Sequence, residues 1–169
     1  VGVGPHPLPW PQDTRYDRDL LANGDTRNVV DEYRYWSKDA IIADLDTRRH
    51  GFQVGSENWQ HDFNIGTVGR NANAFLAHTV HIVGKRRWTR RGAMVTDRYQ
   101  HIEHHPKVDD FALYAADKRL PIVGIDIVAG STPIESEPLP RRCVLAFGQE
   151  GPGLSEEMQA ICGRILHVT

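Results

Sequence analysis

The stretch CVLAFGQEGPGLSEEMQAI, Cys143 to Ile161, decides how this chain is read. CVLAFG, Cys143 to Gly148, is a short apolar run ending in glycine, which predicts a buried strand. GQEGPG, Gly148 to Gly153, is a glycine-rich turn directly after it. Ser155 then fits the N-cap of a helix running to about Ile161, with Glu156 and Glu157 in the first turn, where the helix dipole favours negative charge. The same strand, turn and helix rhythm extends outward in both directions. GFQVGSENW from Gly51, TVHIVG (Thr79 to Gly84), LPIVGIDI (Leu120 to Ile127) and the closing ILHV all read as strands. Ala72 to His78 and Asp109 to Arg119 read as helices. Strands alternating with helices predict an α/β domain with a mostly parallel sheet flanked by helices.

Other parts are less regular. Val1 to Asp13 holds four prolines and two glycines and reads as an irregular extension. From Thr26 the spacing of Val29, Val30, Tyr33 and Trp36, continued by Ile41, Ile42 and Leu45, predicts a helix towards Arg49. The region holding His101, His104 and His105 reads as irregular, and Ala129 to Leu139 as a loop. NIGTVGR, Asn64 to Arg70, reads as a polar loop at a strand-to-helix junction.

With 169 residues, the chain is long enough for one domain with a proper core. No apolar run reaches the roughly 20 residues a membrane-spanning helix requires, and no basic and apolar leader opens the chain. Cys143 and Cys162 show neither CxxC nor zinc spacing, which fits reduced thiols in a cytoplasmic protein. The net charge of −2 gives no whole-protein positive field. Basic charge is instead local, in KRRWTRR, Lys85 to Arg91. Lys85, Arg86, Arg87, Arg90 and Arg91 there can neutralise phosphates while Trp88 stacks on a base; a solvated surface segment is the other reading.

In parallel sheets, ligands gather beyond the carboxyl ends of strands. Gly84 onward, Asp126 to Thr132 and Gly148 to Gly153 qualify. GQEGPG lacks the GxGxxG spacing, and no GxxxxGK[ST] occurs, so a phosphate-cradling loop is not expected. The turn is either a tight strand-to-helix connection or a place where backbone approaches a flat ligand and Glu150 reaches a polar edge. Arg70, with Asn64, can hold a phosphate or a sugar hydroxyl, or can serve as an ordinary ion-pair partner. The histidine cluster with Glu103 has no further ligand groups beside it, and no metal is expected. His78 and His81 are read as structural.

At these residues the chain resembles the SpoU (TrmH) family of RNA 2′-O-ribose methyltransferases of the SPOUT superfamily. NIGTVGR followed by an alanine-rich helix is similar to that family's first motif. LAFGQEGPGLS, Leu145 to Ser155, is similar to its second, FGxExxGLS, with Gly148, Glu150, Gly153 and Leu154 in place. The resemblance implies a methyltransferase domain over 51–169, preceded by an N-terminal extension with a helix over 1–50. It implies a C-terminal trefoil knot, incomplete here because the Ser-x-Asn third motif does not occur before Thr169.

Methyl transfer from S-adenosyl-L-methionine to a ribose 2′-hydroxyl of tRNA or rRNA follows from the resemblance, as does a homodimer. So do the site roles. Arg70, Asn64 and Glu150 would be catalytic. Asp126, Ile127, Gly130, Gly148, Gly151, Gly153, Leu154 and Val168 would hold the cofactor, and the basic segment would bind RNA. An inactive RNA-binding protein of the same fold and a nucleotide-using α/β enzyme unrelated to RNA are the two other classes.

Overall fold

The computed structural model describes residues 2–60 and 64–169, and the chain divides into two units, 1–48 and 49–169. The first unit carries helices α1 (Arg18–Asn23) and α2 (Lys38–Arg48). Asp17 caps α1 by accepting from the N–H groups of Asp19 and Leu20. Between the helices the chain winds around Asp25, whose carboxylate is fully buried. That carboxylate accepts from Arg27 Nε at 2.9 Å and Nη2 at 2.7 Å, and from the N–H groups of Arg27 and Tyr35. The Arg27 guanidinium hydrogen bond holds the Asp25 carboxyl down at about 2.

The helix expected from Thr26 therefore begins only at Lys38. Backbone N–H groups that a helix would use are taken by the Asp25 side chain, and only Asp31–Tyr33 forms a single 3₁₀ turn. Val1 of the N-terminal stretch lies outside the described residues. The rest of that stretch is irregular apart from an isolated antiparallel bridge from Val3 to Asp25.

The second unit holds one sheet of seven strands: β1 (Gln53–Asn58), β2 (Thr79–Gly84), β3 (His101–His105), β4 (Ile122–Ile125), β5 (Thr132–Pro133), β6 (Val144–Phe147) and β7 (Arg164–His167). Their order is β3-β2-β1-β6-β4-β7-β5, and every pairing is parallel. Helix α3 (Asn64–Ala74) covers one face; α4 (Val108–Asp117) and α5 (Glu156–Ile161) cover the other.

The two-residue period of the strands divides their side chains accordingly. Val54, Val80 and Ile82 pack with Ile65 and Ala72 of α3. Val83, Ile122, Val144 and Ala146 pack with Val108 and Phe111 of α4 and Met158 of α5. The α/β parallel-sheet expectation holds.

Four expectations are corrected in this unit. NIGTVGR is no loop: Asn64 to Arg70 form the first two turns of α3. Tertiary packing overrides the poor helix propensity of Gly66 and Gly69, which are both buried. That helix ends at Ala74, short of the expected His78. The loop after β4 contains the short β5, a two-residue addition to the sheet edge.

Most instructive is β3, where an irregular region was expected. His101 to His105 pair with β2 from Thr79 to Val83 as the edge strand. Its alternation carries polar residues on both faces, so no hydrophobic period betrays it.

His105 of that strand belongs to the core, beside His81 of β2. His81, with no exposed surface, lies at 2.9 Å from His105, ring nitrogen to ring nitrogen. Its other nitrogen, Nε2, donates to Gln53 Oε1 at 2.6 Å, which also accepts from the Tyr114 hydroxyl at 3.1 Å. Each buried polar atom thereby finds a partner beneath Phe111.

Burial pushes the His81 imidazole down to about 3, and the neighbouring His105 ring adds to the effect; burial lowers His105 too. Both rings stay neutral in the fold, whereas unfolded histidine titrates near 6.5. The unfolded chain then binds more protons between about pH 6.5 and 3, so stability falls as pH falls through that window. Urea unfolding should show a loss of about 2 kcal/mol from His81 alone between pH 7 and pH 5. Replacing both rings (His81→Gln with His105→Gln) should flatten the profile there. The Asp25 contribution is lost only below its ordinary value of 3.8, as pH falls towards 2.

Candidate active site at the carboxyl edge of the sheet

The central strands β1 and β6 lie side by side, with Val54 opposite Leu145 and Ser56 opposite Phe147. After β1 the chain passes to α3 on one face, and after β6 it passes to α5 on the other. Neighbouring strands whose exits diverge leave a crevice at their carboxyl ends, the position where open α/β sheets bind ligands.

Three side chains knit that edge together. Glu57, near the end of β1, is fully buried. Its carboxylate accepts from Trp59 Nε1 at 2.8 Å, from the Ser155 N–H at 2.8 Å and from Ser155 Oγ at 2.6 Å. Ser155 Oγ in turn caps α5 by accepting from the Met158 N–H. Gln149 accepts at Oε1 from the N–H groups of Trp59 (3.0 Å) and Gln60 (2.7 Å), which ties the two exits together. Asp126, at the exit of β4, accepts from the N–H groups of Ile127 and Leu154, both at 2.7 Å.

The turn these groups hold is tight. Gln149 and Gly153 exchange both backbone hydrogen bonds at 3.0 Å. A Cβ on Gly148 would lie 2.0 Å from the Gly153 carbonyl carbon and 2.1 Å from the Leu154 nitrogen, so only glycine fits.

The predicted residues distribute as follows. Asn64 opens α3 and donates from Nδ2 to Glu150 Oε2 at 3.0 Å, bringing the two sequence stretches into direct contact. Arg70 lies on the exposed side of the same helix, with no hydrogen bond or ion pair among the described residues. Gly148, Gly153 and Leu154 lie in the turn, and Gly151, at φ +93°, stands at its tip with open space around it. Ile127 and Val168 are each two residues beyond the paired Ile125 and Leu166, at the exits of β4 and β7, and are 79% and 66% exposed. Gly130, three residues beyond Ile127, has φ +85°, and a Cβ added there would meet nothing within 4 Å.

Lys85, Arg86, Arg87, Arg90 and Arg91 are all exposed. Their segment is anchored by Asn58, buried at the end of β1, whose Nδ2 donates to the carbonyls of Lys85 (2.7 Å) and Arg87 (2.9 Å). Farther on, the turn Arg90–Ala93 sits against α3 where a Cβ on Gly66 would meet Ala93 N at 2.8 Å. Gly66 is thus a packing glycine that lets the basic segment lie on the Arg70 helix.

The histidines separate. His105 is buried, His104 donates from Nε2 to the Gly84 carbonyl, and His81, Glu103 and His105 bring three potential ligand atoms within 4.8 Å of one another. Among these, the two imidazoles are bonded to each other.

Glu57, Asn58 and Gln149 were not singled out from the sequence. No local signal marked Glu57 and Asn58, which end a strand that is mostly polar in sequence and buried throughout. Apart from Trp59, two residues from Glu57, their partners lie 27 to 98 residues away, beyond the reach of local pattern.

The SpoU rRNA Methylase family matches residues 51–169, more than half of the chain. No curated protein matches significantly. Among solved structures, the A. aeolicus TrmH/SpoU tRNA modifying enzyme is similar with a TM-score of 0.66 at 17% identity, over 78% of this chain and 69% of its own. The SpoU methyltransferase AviRb from Streptomyces viridochromogenes, solved in complex with AdoMet, has a TM-score of 0.63 at 20% identity, over 74% and 51%. An RNA 2′-O ribose methyltransferase has a TM-score of 0.61 at 16% identity, over 88% and 54%. The chain spans about half the length of the last two.

Replacing Glu57 tests the knitting of this edge. Glu57→Gln turns one acceptor oxygen into a donor facing the Ser155 N–H or hydroxyl, and should destabilise the fold by about 1–3 kcal/mol. The urea midpoint should fall with an unchanged slope.

Proposed function

Because the chain belongs to the SpoU rRNA Methylase family, we propose that it transfers a methyl group from S-adenosyl-L-methionine to a ribose 2′-hydroxyl of tRNA or rRNA. The observation that carries this reading is the Asn64–Glu150 hydrogen bond across the crevice. It joins two stretches 86 residues apart into one site at the place where the sheet topology favours a ligand.

The residues present suit the cofactor. Its adenine needs apolar surface, which the exposed Ile127 and Val168 supply beside the turn. Its polar atoms need backbone partners, and Gly130 and Gly151 leave their backbone open to approach. Gly148, Gly153 and Leu154 set the shape of the turn, while Asp126 fixes it from below. When bound, the sulfonium supplies an electrophilic methyl group, and no metal is required for its in-line displacement.

On the substrate side, a guanidinium is permanently charged and a poor base. Arg70 is therefore assigned as a clamp on phosphate and ribose that stabilises the oxyanion as it develops. Its exposure leaves it available to an RNA lying along α3. Asn64 and Glu150 act together, the first positioned by the second and able to hold substrate or Arg70. Lys85, Arg86, Arg87, Arg90 and Arg91 neutralise RNA phosphates beyond the site. A homodimer completing the site across a two-fold axis belongs to this reading. A cytoplasmic location belongs to this reading as well, and the free thiols of Cys143 and Cys162 are compatible with a reducing compartment.

Tritiated methyl transfer to fractionated RNA, followed by nucleoside mapping, should return a 2′-O-methylnucleoside. Arg70→Ala should lower kcat by roughly 10²–10³-fold while calorimetry finds cofactor affinity unchanged. Retained turnover would remove the role given to Arg70, and label found on a base would remove the ribose assignment.

A further inference from the structure

Beside the basic segment lies a separate cavity of about 360 Å³, lined by Ile82, Arg86, Trp88, Arg90, Asp97, Gln100, Ile102 and His104. Resting on the RNA reading above, we propose that this cavity takes a guanine base of the bound RNA. Its walls have the chemistry such a base needs. Ile82 and Ile102 give an aliphatic floor, and Trp88, half-buried with the Arg90 guanidinium 5.6 Å from its ring centroid, gives a flat aromatic wall.

The polar groups decide which base. Gln100 is already committed: its Oε1 accepts from Arg49 at 3.1 Å, and its Nε2 donates to the carbonyls of Ala77 and His78. His104 is likewise held by its Nε2 bond to Gly84. Asp97 is different. Its side chain is only 10% exposed, yet its sole partner among the described residues is Arg90 at 3.5 Å, beyond ordinary charge-assisted hydrogen-bond distance. Its carboxylate lines the cavity with acceptor capacity to spare for a donor placed there.

Guanine offers two adjacent donors, N1–H and the N2 amine, matching both carboxylate oxygens. It also offers O6 and N7 as the preferred acceptors of an arginine fork, which Arg86 and Arg90 provide. Adenine lacks the paired donors, and cytosine has only one amine.

The segment is built to hold this arrangement. Met94 and Val95 both have positive φ, 49° and 73°, and a β-branched residue adopts that conformation only when its surroundings impose it. Here the close packing of Gly92 and Ala93 on Gly66, with the Thr96 hydroxyl donating to the Ala93 carbonyl, imposes it and sets Asp97 at the cavity. Reading a splayed base by stacking and its Watson–Crick edge is the usual mode for single-stranded RNA.

Fluorescence anisotropy of the whole chain with labelled UUGUU, UUAUU and UUIUU pentamers tests this, with GMP as competitor and calorimetry of S-adenosylmethionine in parallel. Wild type should bind UUGUU roughly 10-fold or more tighter than UUAUU. UUIUU, which lacks the N2 amine, should lose most of that preference. Asp97→Asn should abolish the preference with cofactor affinity unchanged, and Trp88→Leu should weaken all three pentamers.

Equal binding of the guanine and adenine pentamers overturns the proposal, as does a folded Asp97→Asn protein that keeps its preference. Should that variant fail to fold, the inosine comparison on wild type decides alone. Displacement by GMP as effective as by the guanine pentamer would make the site one for free nucleotides and overturn its assignment to RNA. A guanine preference in a protein that binds no cofactor leaves the cavity standing and removes the methyltransferase reading. Methyl transfer without the preference removes only the cavity.

Discussion

Glu57 carries a charge into a place where water cannot follow, and the carboxyl edge of the sheet is arranged to satisfy it. Both oxygens are bonded, one to the Ser155 N–H and the other shared by the Trp59 indole and the Ser155 hydroxyl. An unpaired charge at full burial is too costly to persist, so the position of α5 and the exit of β1 are fixed together. The rest of the site inherits that fixation. With Ser155 set, the turn from Gly148 to Leu154 has a fixed end, and Gln149 and Asp126 brace it from β1 and β4.

The same edge explains why the glycines matter in different ways. Gly148 is required because the turn passes over itself, leaving no room for a Cβ. Gly66 is required because a second segment lies on the helix there. These are separate packing demands, and they join the turn, the Asn64 helix and the basic segment into one surface. Charge follows that arrangement: a chain of net charge −2 presents five exposed basic side chains within seven residues, Lys85 to Arg91. Their backbone is held by Asn58, one residue after the carboxylate that organises the turn.

Much of this was legible in the sequence, and the reasons are local. Strands β2, β4, β6 and β7 lie in short apolar or β-branched runs closed by glycine or polar residues, so each declares itself, whereas β1, with Gln53, Ser56, Glu57 and Asn58, is mostly polar. Ser155 declares the start of α5, and its hydroxyl does cap Met158. The two motif-bearing stretches were visible as residue types in order. What failed was any reading that depended on a distant partner. HIEHH looked irregular because its inward residue is a histidine, and only the His81 and Gln53 side chains make such a residue acceptable in a core. NIGTVGR looked like a loop because glycine disfavours helix, and the compensating contacts come from Gly92 and Ala93. The stretch before Lys38 looked helical because nothing local reveals that Asp25 captures its N–H groups.

Sequence alone determined the class of the fold, since the alternation of apolar period and turn chemistry leaves a parallel α/β sheet as the economical solution, and it determined which residue types carry chemistry. Only the tertiary structure decided where those residues meet. Strand order puts β1 beside β6, and no pattern along the chain encodes that neighbourhood, because it results from packing helices on both faces of the whole sheet. That order sets Asn64 against Glu150, and Gly66 packing sets Asp97 beside Trp88. In both, the deciding contacts join residues far apart along the chain, Asn64 with Glu150 and Gly66 with Ala93.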